Sequence, residues 1–332
     1  MFEGSHHGRT STAASVAQTR NPIIQTVNVP LPIQGDALRR AFSSHPRAWR
    51  DFHYVYPVVS RRSKGLSIGI NLNPDKACNF DCIYCSVERG EEERQSDGAT
   101  ERRREEIDLE RVRGELEAML DEAVSGRLWQ DEKFADTPSA WRRLNDIAFS
   151  GDGEPTTYRH FDRACALAAE AKAQRGLDAT KIVVITNATG LDRAPTRRAL
   201  EILDRNQGEI WAKLDAGTEA YYQWVDRTKF PFAKVLRNIL ACGREREILI
   251  QSMFLSYEGV PVSDAEFAAY TDRLAELLRD GCRIKLVQLY TVARPPAERA
   301  VAALTNGQLD DLTRRLRSAI PSLAVEAYYG VV

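Results

Sequence analysis

The chain has 332 residues, 43% of them hydrophobic, with 46 Lys and Arg against 47 Asp and Glu. That is enough to bury one large core or two small ones, and the charge balance announces neither a nucleic-acid binder nor a membrane-surface protein. No run of about 18 apolar residues suggests a membrane span, and six cysteines are too sparse for a disulfide scaffold, so a reducing cytoplasm is expected.

Residues 1–45 are polar and aperiodic, without the apolar segment of a secretory signal, and are expected to form a disordered or wrapping tail. The remainder, 46–332, reads as one domain. Apolar positions alternate around Tyr54, Tyr56 and Val58, and "KGLSIGINL" (64–72) has the composition of a buried strand. It runs into "NPDKACNFDCIYCSVERG" (73–90), which holds three cysteines. A charged excursion follows at about 88–106, expected to be a solvated loop with no catalytic role. Ile107, Leu109, Val112, Leu116, Met119, Leu120 and Val124 then recur at helical spacing.

From there strands and helices alternate. Strands are expected at 145–150, 181–186, 209–214, 247–255, 283–290 and 323–329. Helices are expected at about 159–174 and 195–206, and another is marked by Phe232, Val235, Leu236, Ile239 and Leu240. Capping boxes "SDAE" (263–266) and "TNGQ" (305–308) open two more, the first running through Phe267, Tyr270, Leu274 and Leu277. Counting from "KGLSIGINL" gives six βα units and a closing strand, short of a full eight-fold barrel. The expected fold is therefore α/β: an open, partial barrel, with a doubly wound sheet as the alternative. In both, working groups gather at the C-terminal ends of the strands.

Cys78, Cys82 and Cys85 stand in a C-x3-C-x2-C spacing at such an end. Structural zinc wants a fourth Cys or His, and His53 and His160 are distant in sequence. An iron–sulfur cluster held at three corners leaves one iron open for chemistry. The spacing favours the cluster; a non-catalytic zinc module remains the alternative. Tyr84 and Phe80 supply aromatic cover beside the cysteines. "FSGDGEPT" (149–156) places Gly151, Gly153, Glu154 and Pro155 at the next strand end, "ITNATG" places Asn187, and "WAKLDAGT" places Lys213 and Asp215 two residues apart. Gln251, Ser252, Gln288, Tyr290 and Arg294 end the later strands. A guanidinium among them suits a carboxylate or phosphate. Cys165, Cys242 and Cys282 are isolated and expected in the core.

C-x3-C-x2-C with an aromatic before the last cysteine resembles the signature of the radical S-adenosylmethionine (SAM) superfamily. The resemblance implies a partial (βα)6 barrel, one 4Fe–4S cluster on Cys78, Cys82 and Cys85, and SAM bound at its open iron. It implies reductive cleavage of SAM to a 5′-deoxyadenosyl radical that abstracts hydrogen from a substrate. Gly151 and Gly153–Glu154–Pro155 match the family's GGEP motif, which contacts the SAM amino group. By the same likeness Tyr84, Asn187 and Asp215 are cofactor-side candidates, and Lys213, Tyr290 and Arg294 are candidates for catalysis. An electron donor such as flavodoxin or ferredoxin is the implied partner. The lead-in "SRRSKGLSIGI", "FSGDGEPT", "WAKLDAGT" and "VQLYTVARPP" resemble the branch of wybutosine-type tRNA-modifying proteins and their uncharacterised bacterial relatives. Those enzymes carry upstream cysteines for a second cluster; this chain has none before Cys78. RNA as substrate therefore stands as an alternative that the charge balance does not support.

Overall fold

A computed structural model describes residues 47–89 and 106–330, together with Met1 and Phe42. The expected N-terminal tail and most of the charged excursion lie outside the described residues. Phe42 itself is buried, with its ring 5.3 Å from that of Trp141.

Two strands open the fold as an antiparallel hairpin, β1 (Val55–Ser60) and β2 (Gly65–Ile70). Five further strands follow β2 in parallel: β3 (Leu144–Phe149), β4 (Lys181–Thr186), β5 (Gly208–Lys213), β6 (Ile248–Met253) and, after a short excursion, β9 (Ile284–Tyr290). The parallel strand β11 (Val325–Tyr328) closes the series, giving a sheet ordered β1-β2-β3-β4-β5-β6-β9-β11. Each parallel strand lies beside its predecessor, so the crossover helices stay on one face and the twisted sheet curls around the other. The helices of this outer layer are α1 (Leu109–Ser125), α2 (Phe161–Ala173), α3 (Ala194–Asp204), α4 (Glu219–Val225), α5 (Phe232–Glu245), α6 (Asp264–Arg279) and α7 (Asn306–Ala319). The partial barrel is the expected fold.

Period-two alternation divides the strand side chains between two cores. Ile147, Phe149, Ile182, Val184, Ile210, Ala212, Ile248 and Ile250 join the main core under the helices. Ala148, Val183, Trp211 and Leu249 form a small separate cluster in the lumen, with Ile185 and Leu286 packed against it. Burial on both faces explains why these strands read as continuous apolar runs.

Two details depart from expectation. The stretch 247–255 is not one strand: it breaks at Phe254, and β7 (Leu255–Tyr257) pairs with both β8 (Val260–Pro261) and β10 (Val301–Ala303) in a separate small sheet. Its tight turn puts Glu258 and Gly259 at φ 50° and 81°, the left-handed geometry of two-residue hairpins. The capping boxes also diverge. Thr305 and Gln308 exchange both bonds at the start of α7. At α6, Ser263 caps the Glu266 N–H, but the Glu266 carboxylate accepts instead from Gly217 N (2.5 Å), Thr218 N (3.1 Å) and Thr218 Oγ1 (2.6 Å). It pins the loop after β5. Glu115 of α1 pins the entry to β1 in the same way, accepting from the backbone N–H groups of His53, Tyr54 and Val55.

Candidate active site

The sheet register sets Ile70, Phe149, Thr186, Lys213, Met253, Tyr290 and Tyr328 at the C-terminal rim. A cavity of about 230 Å³ opens there. Its lining includes Cys78, Cys82, Cys85, Tyr84, Gly151, Gly153, Glu154, Asn187, Lys213 and Arg294. Sequence reasoning had named all ten from strand ends scattered over more than 200 residues.

The cysteine loop is held in place from below. Asp81 N and Ile83 N donate to Asp226 O and Val225 O at 3.1 and 2.9 Å, at the end of α4. Ile83 is buried, and the Phe80 ring packs edge-on against Tyr222. All three cysteines are half-buried residues. Burial pushes Cys78 up to about 11 and Cys82 well above the ordinary thiol value. Such sulfurs become thiolate ligands when cationic metal neutralises them. Arg89 helps: it donates to Cys85 Sγ at 3.3 Å, Lys76 O at 3.0 Å and Asp152 O at 2.6 Å. Arg89 belongs to the charge run expected to be a solvated loop; the structure corrects that at this residue, placing it buried against the cysteine loop. Among the described residues, no three His, Cys, Asp or Glu side chains converge as ligands of a single ion. Three thiols spread around one cavity suit a larger multi-iron cluster better than tetrahedral zinc.

Beside the cysteines lies the Gly-Glu-Pro turn. Its glycines serve close packing of one loop on another. A Cβ on Gly151 would lie 2.2 Å from Asn71 Oδ1, and one on Gly153 would lie 2.0 Å from Ala77 O. Asn71 clasps the turn, donating to Asp152 Oδ2 at 2.6 Å and accepting from Asp152 N at 3.1 Å, while Arg47 forms an ion pair with Asp152. Glu154 is 3% exposed. Its carboxylate accepts from Thr156 N (3.1 Å), Thr156 Oγ1 (2.6 Å), Thr186 Oγ1 (2.6 Å) and Asn187 N (2.7 Å). Burial pushes this carboxyl up while the four donors pull it down. Asn187 in turn donates to Asn79 Oδ1 at 2.8 Å and accepts from Thr189. These side chains stitch the β3 and β4 loops to the cysteine loop, and Pro155, next to Glu154, is buried.

Along the third side, Lys213 forms a 2.9 Å ion pair with Asp215 and donates to Tyr290 Oη at 2.6 Å. Its ammonium lies over the Tyr84 and Tyr290 rings, 4.9 and 5.3 Å from their centroids. Burial lowers its pKa, but Asp215 and Tyr290 more than reverse this, so it stays charged. Asp215 is 2% exposed; it also accepts from Tyr84 Oη (2.5 Å) and Met253 N (2.7 Å). Asp215 and Tyr290 thus back the cavity rather than line it, and Asp215 fixes Tyr84 and Lys213 in place.

The Radical SAM superfamily profile matches residues 72–269. The chain belongs to the radical SAM superfamily. A UPF0026 protein of Methanocaldococcus jannaschii is 26% identical over 249 residues, covering 74% of this chain and 65% of that protein. A UPF0026 protein of Helicobacter pylori is 25% identical over 245 residues, covering 74% of this chain and 67% of that one. The match thus spans only about two thirds of the length of these relatives. Among solved structures, a radical SAM methyltransferase from Sphaerobacter thermophilus superposes with a TM-score of 0.55 at 17% identity, over 83% of this chain and 70% of that one. Streptococcus suis SuiB bound to S-adenosylmethionine gives 0.50 at 13% identity, over 81% and 52%. These likenesses establish the shared fold.

For a radical SAM chain, the remaining residues named at strand ends divide sharply. Gln251 donates to Gln288 at 2.7 Å in the lumen, whereas Ser252 pairs with Tyr270 of α6 at 2.6 Å under the outer layer. Cys165, Cys242 and Cys282 are buried as expected. Sequence reasoning missed Arg47, Arg62 and Trp211, which also line the cavity. Arg62 was visible inside "SRRSKG", where an arginine pair in a turn next to a lumen strand was a usable signal. Among the described residues no helix is long and apolar enough to cross a membrane.

Proposed function

We propose that the chain is a radical SAM enzyme that holds a single 4Fe–4S cluster through Cys78, Cys82 and Cys85. It would bind SAM between that cluster and the Gly-Glu-Pro turn. The observation that carries this reading is that three cysteines of one loop, and residues 151–154 of the turn packed on that loop, face one cavity at the C-terminal rim. Once bound, cluster and SAM together supply an electron and a 5′-deoxyadenosyl radical for hydrogen abstraction from the substrate.

The chain's own residues do the placing. Arg89 offsets thiolate charge at Cys85. Asn71, Asp152 and Arg47 fix the turn's backbone; with Asp152 O taken by Arg89 and Glu154 O by Thr157, the Gly151 and Gly153 carbonyls are the ones offered to the SAM ammonium. Glu154 is a positioning residue, since its oxygens already carry four donors. Lys213 and Asp215 hold the Tyr84 ring as a flat wall. Ala148 and Trp211 of the lumen cluster, with Ile185 packed against it, line the cavity with apolar surface and limit water. An electron donor such as flavodoxin or ferredoxin belongs to this reading.

The test is anaerobic reconstitution of the full chain with iron and sulfide. Wild type should retain iron and sulfide and release 5′-deoxyadenosine from SAM when reduced. Cys82→Ala should lose both the cluster absorbance and the product. Tight stoichiometric zinc with no SAM cleavage would sink the proposal.

A further inference from the structure

The cavity also carries positive charge that no described residue neutralises. Other cations around the cavity are matched: Lys213 by Asp215, Arg47 by Asp152, and Arg89 by Cys85 and two carbonyls. Arg62 and Arg294 are not. Arg62 donates to the neutral Gln251 amide at 3.1 Å, and its guanidinium lies 4.8 Å from the centroid of the Tyr290 ring. Among the described residues it meets no carboxylate. Arg294 is partly buried, lines the cavity, and has no hydrogen-bond or ion-pair partner among the described residues. Arg61 stands nearby with Nη1 buried and unpartnered. Burial, then the neighbouring Arg47 and Arg62, pushes the Arg294 guanidinium down to about 10. Burial, then Arg62 and Arg294, pushes Arg61 down to about 9.

Like charges gathered in a partly desolvated place are costly unless an anion joins them. Their position says where that anion comes from. Arg61 and Arg62 sit on the turn between β1 and β2, at one edge of the curled sheet. Arg294 follows β9, beside the strand at the other edge. The two edges approach each other at the base through the Lys64–Glu326 ion pair at 3.0 Å. The guanidiniums therefore flank the side on which the barrel is not closed by strand pairing.

We propose that Arg62 and Arg294 bind the carboxylate or phosphate group of a small-molecule substrate entering by that side. The proposal rests on the radical SAM reading of the cavity. A guanidinium offers forked donors to either oxyanion. The groups lie within a cavity of about 230 Å³, and the chain's net charge is −1. A polynucleotide asks instead for many exposed cations along its backbone.

The experiment uses the reconstituted full chain, with inorganic phosphate, malonate and neutral malonamide as probes, and calorimetric titration as readout. Phosphate or malonate should bind and malonamide should not; phosphate alone points to a phosphomonoester and malonate alone to an acid. Arg294→Gln should weaken the anion by about tenfold to a hundredfold, with Arg294→Lys intermediate. Having lost no internal partner, Arg294→Gln should melt no lower than wild type. The proposal is overturned by an anion affinity that ignores the substitution, by a lowered melting temperature, or by failure of both anions to bind. In that last case, weakened SAM binding would assign the guanidinium to the SAM carboxylate, and Arg294-dependent binding of a tRNA transcript would assign it to RNA. Iron content and 5′-deoxyadenosine release, measured on the same wild-type preparation, report separately on the radical SAM reading.

Discussion

The two walls of the cavity are built on opposite principles. On the cysteine side the side chains that hold the loops are spent within the protein: Glu154 on four donors, Asn71 on Asp152, Asn187 on Asn79, Arg89 on sulfur and carbonyls. On the arginine side Arg62 and Arg294 are left without counter-charge among the described residues. A wall whose supporting side chains are all engaged is rigid and suits a resident cofactor, which gains from pre-organisation. A wall with unmet charge is incomplete without a visitor. The comparison separates holding from recognising.

Breaking the committed wall should have the largest effect. Glu154→Ala strands two hydroxyls and two backbone N–H groups in a buried place, so a loss of about 3–5 kcal/mol is expected. Urea denaturation of the full chain measures it; a loss under about 1 kcal/mol would mean the turn is held by something else.

Deeper in the lumen, Asp146 tests whether unmet charge is costly in this barrel. It is 2% exposed, accepts from Ser67 Oγ at 2.5 Å, and burial pushes its carboxyl up to about 6. The folded protein thus holds this proton more tightly than the unfolded chain. Asp146 stabilises least above pH 6, and its cost fades as pH falls towards the ordinary value near 3.8. Asp146→Asn should therefore be more stable than wild type by about 1–3 kcal/mol at pH 8, with the gain shrinking as pH falls towards 4. A gain that persists unchanged at pH 4 would assign it to packing rather than titration.

Away from both walls the effect should be ordinary. Thr305→Ala removes the one capping box that forms completely and should cost about 1 kcal/mol. Ser263→Ala should cost no more, because the Glu266 carboxylate is engaged elsewhere and stays so. Parallel thermal melts decide the ranking. The smallest stability effect is expected at Arg294→Gln, on the uncommitted wall.

Much of this was legible in the sequence. The parallel strands are buried on both faces, so their apolar runs appear directly, and the C-x3-C-x2-C spacing placed the cysteines correctly on one loop. What could not be read is where polar groups find long-range partners. "SDAE" satisfies a local pattern, yet Glu266 reaches Gly217 and Thr218, on the loop after β5. Glu154 seemed free to meet an ammonium, yet two of its four donors, Thr186 Oγ1 and Asn187 N, come from the end of the next strand. Arg89 was hidden by the acidic and basic residues around it, and β7, β8 and β10 are too short to leave a periodicity.

The most direct test of the account is the yield of 5′-deoxyadenosine from SAM by the reconstituted, reduced full chain, set against Cys82→Ala prepared identically. The account predicts product well above the variant's background. A wild-type protein fully loaded with iron and sulfide, yet no better than Cys82→Ala, would contradict it.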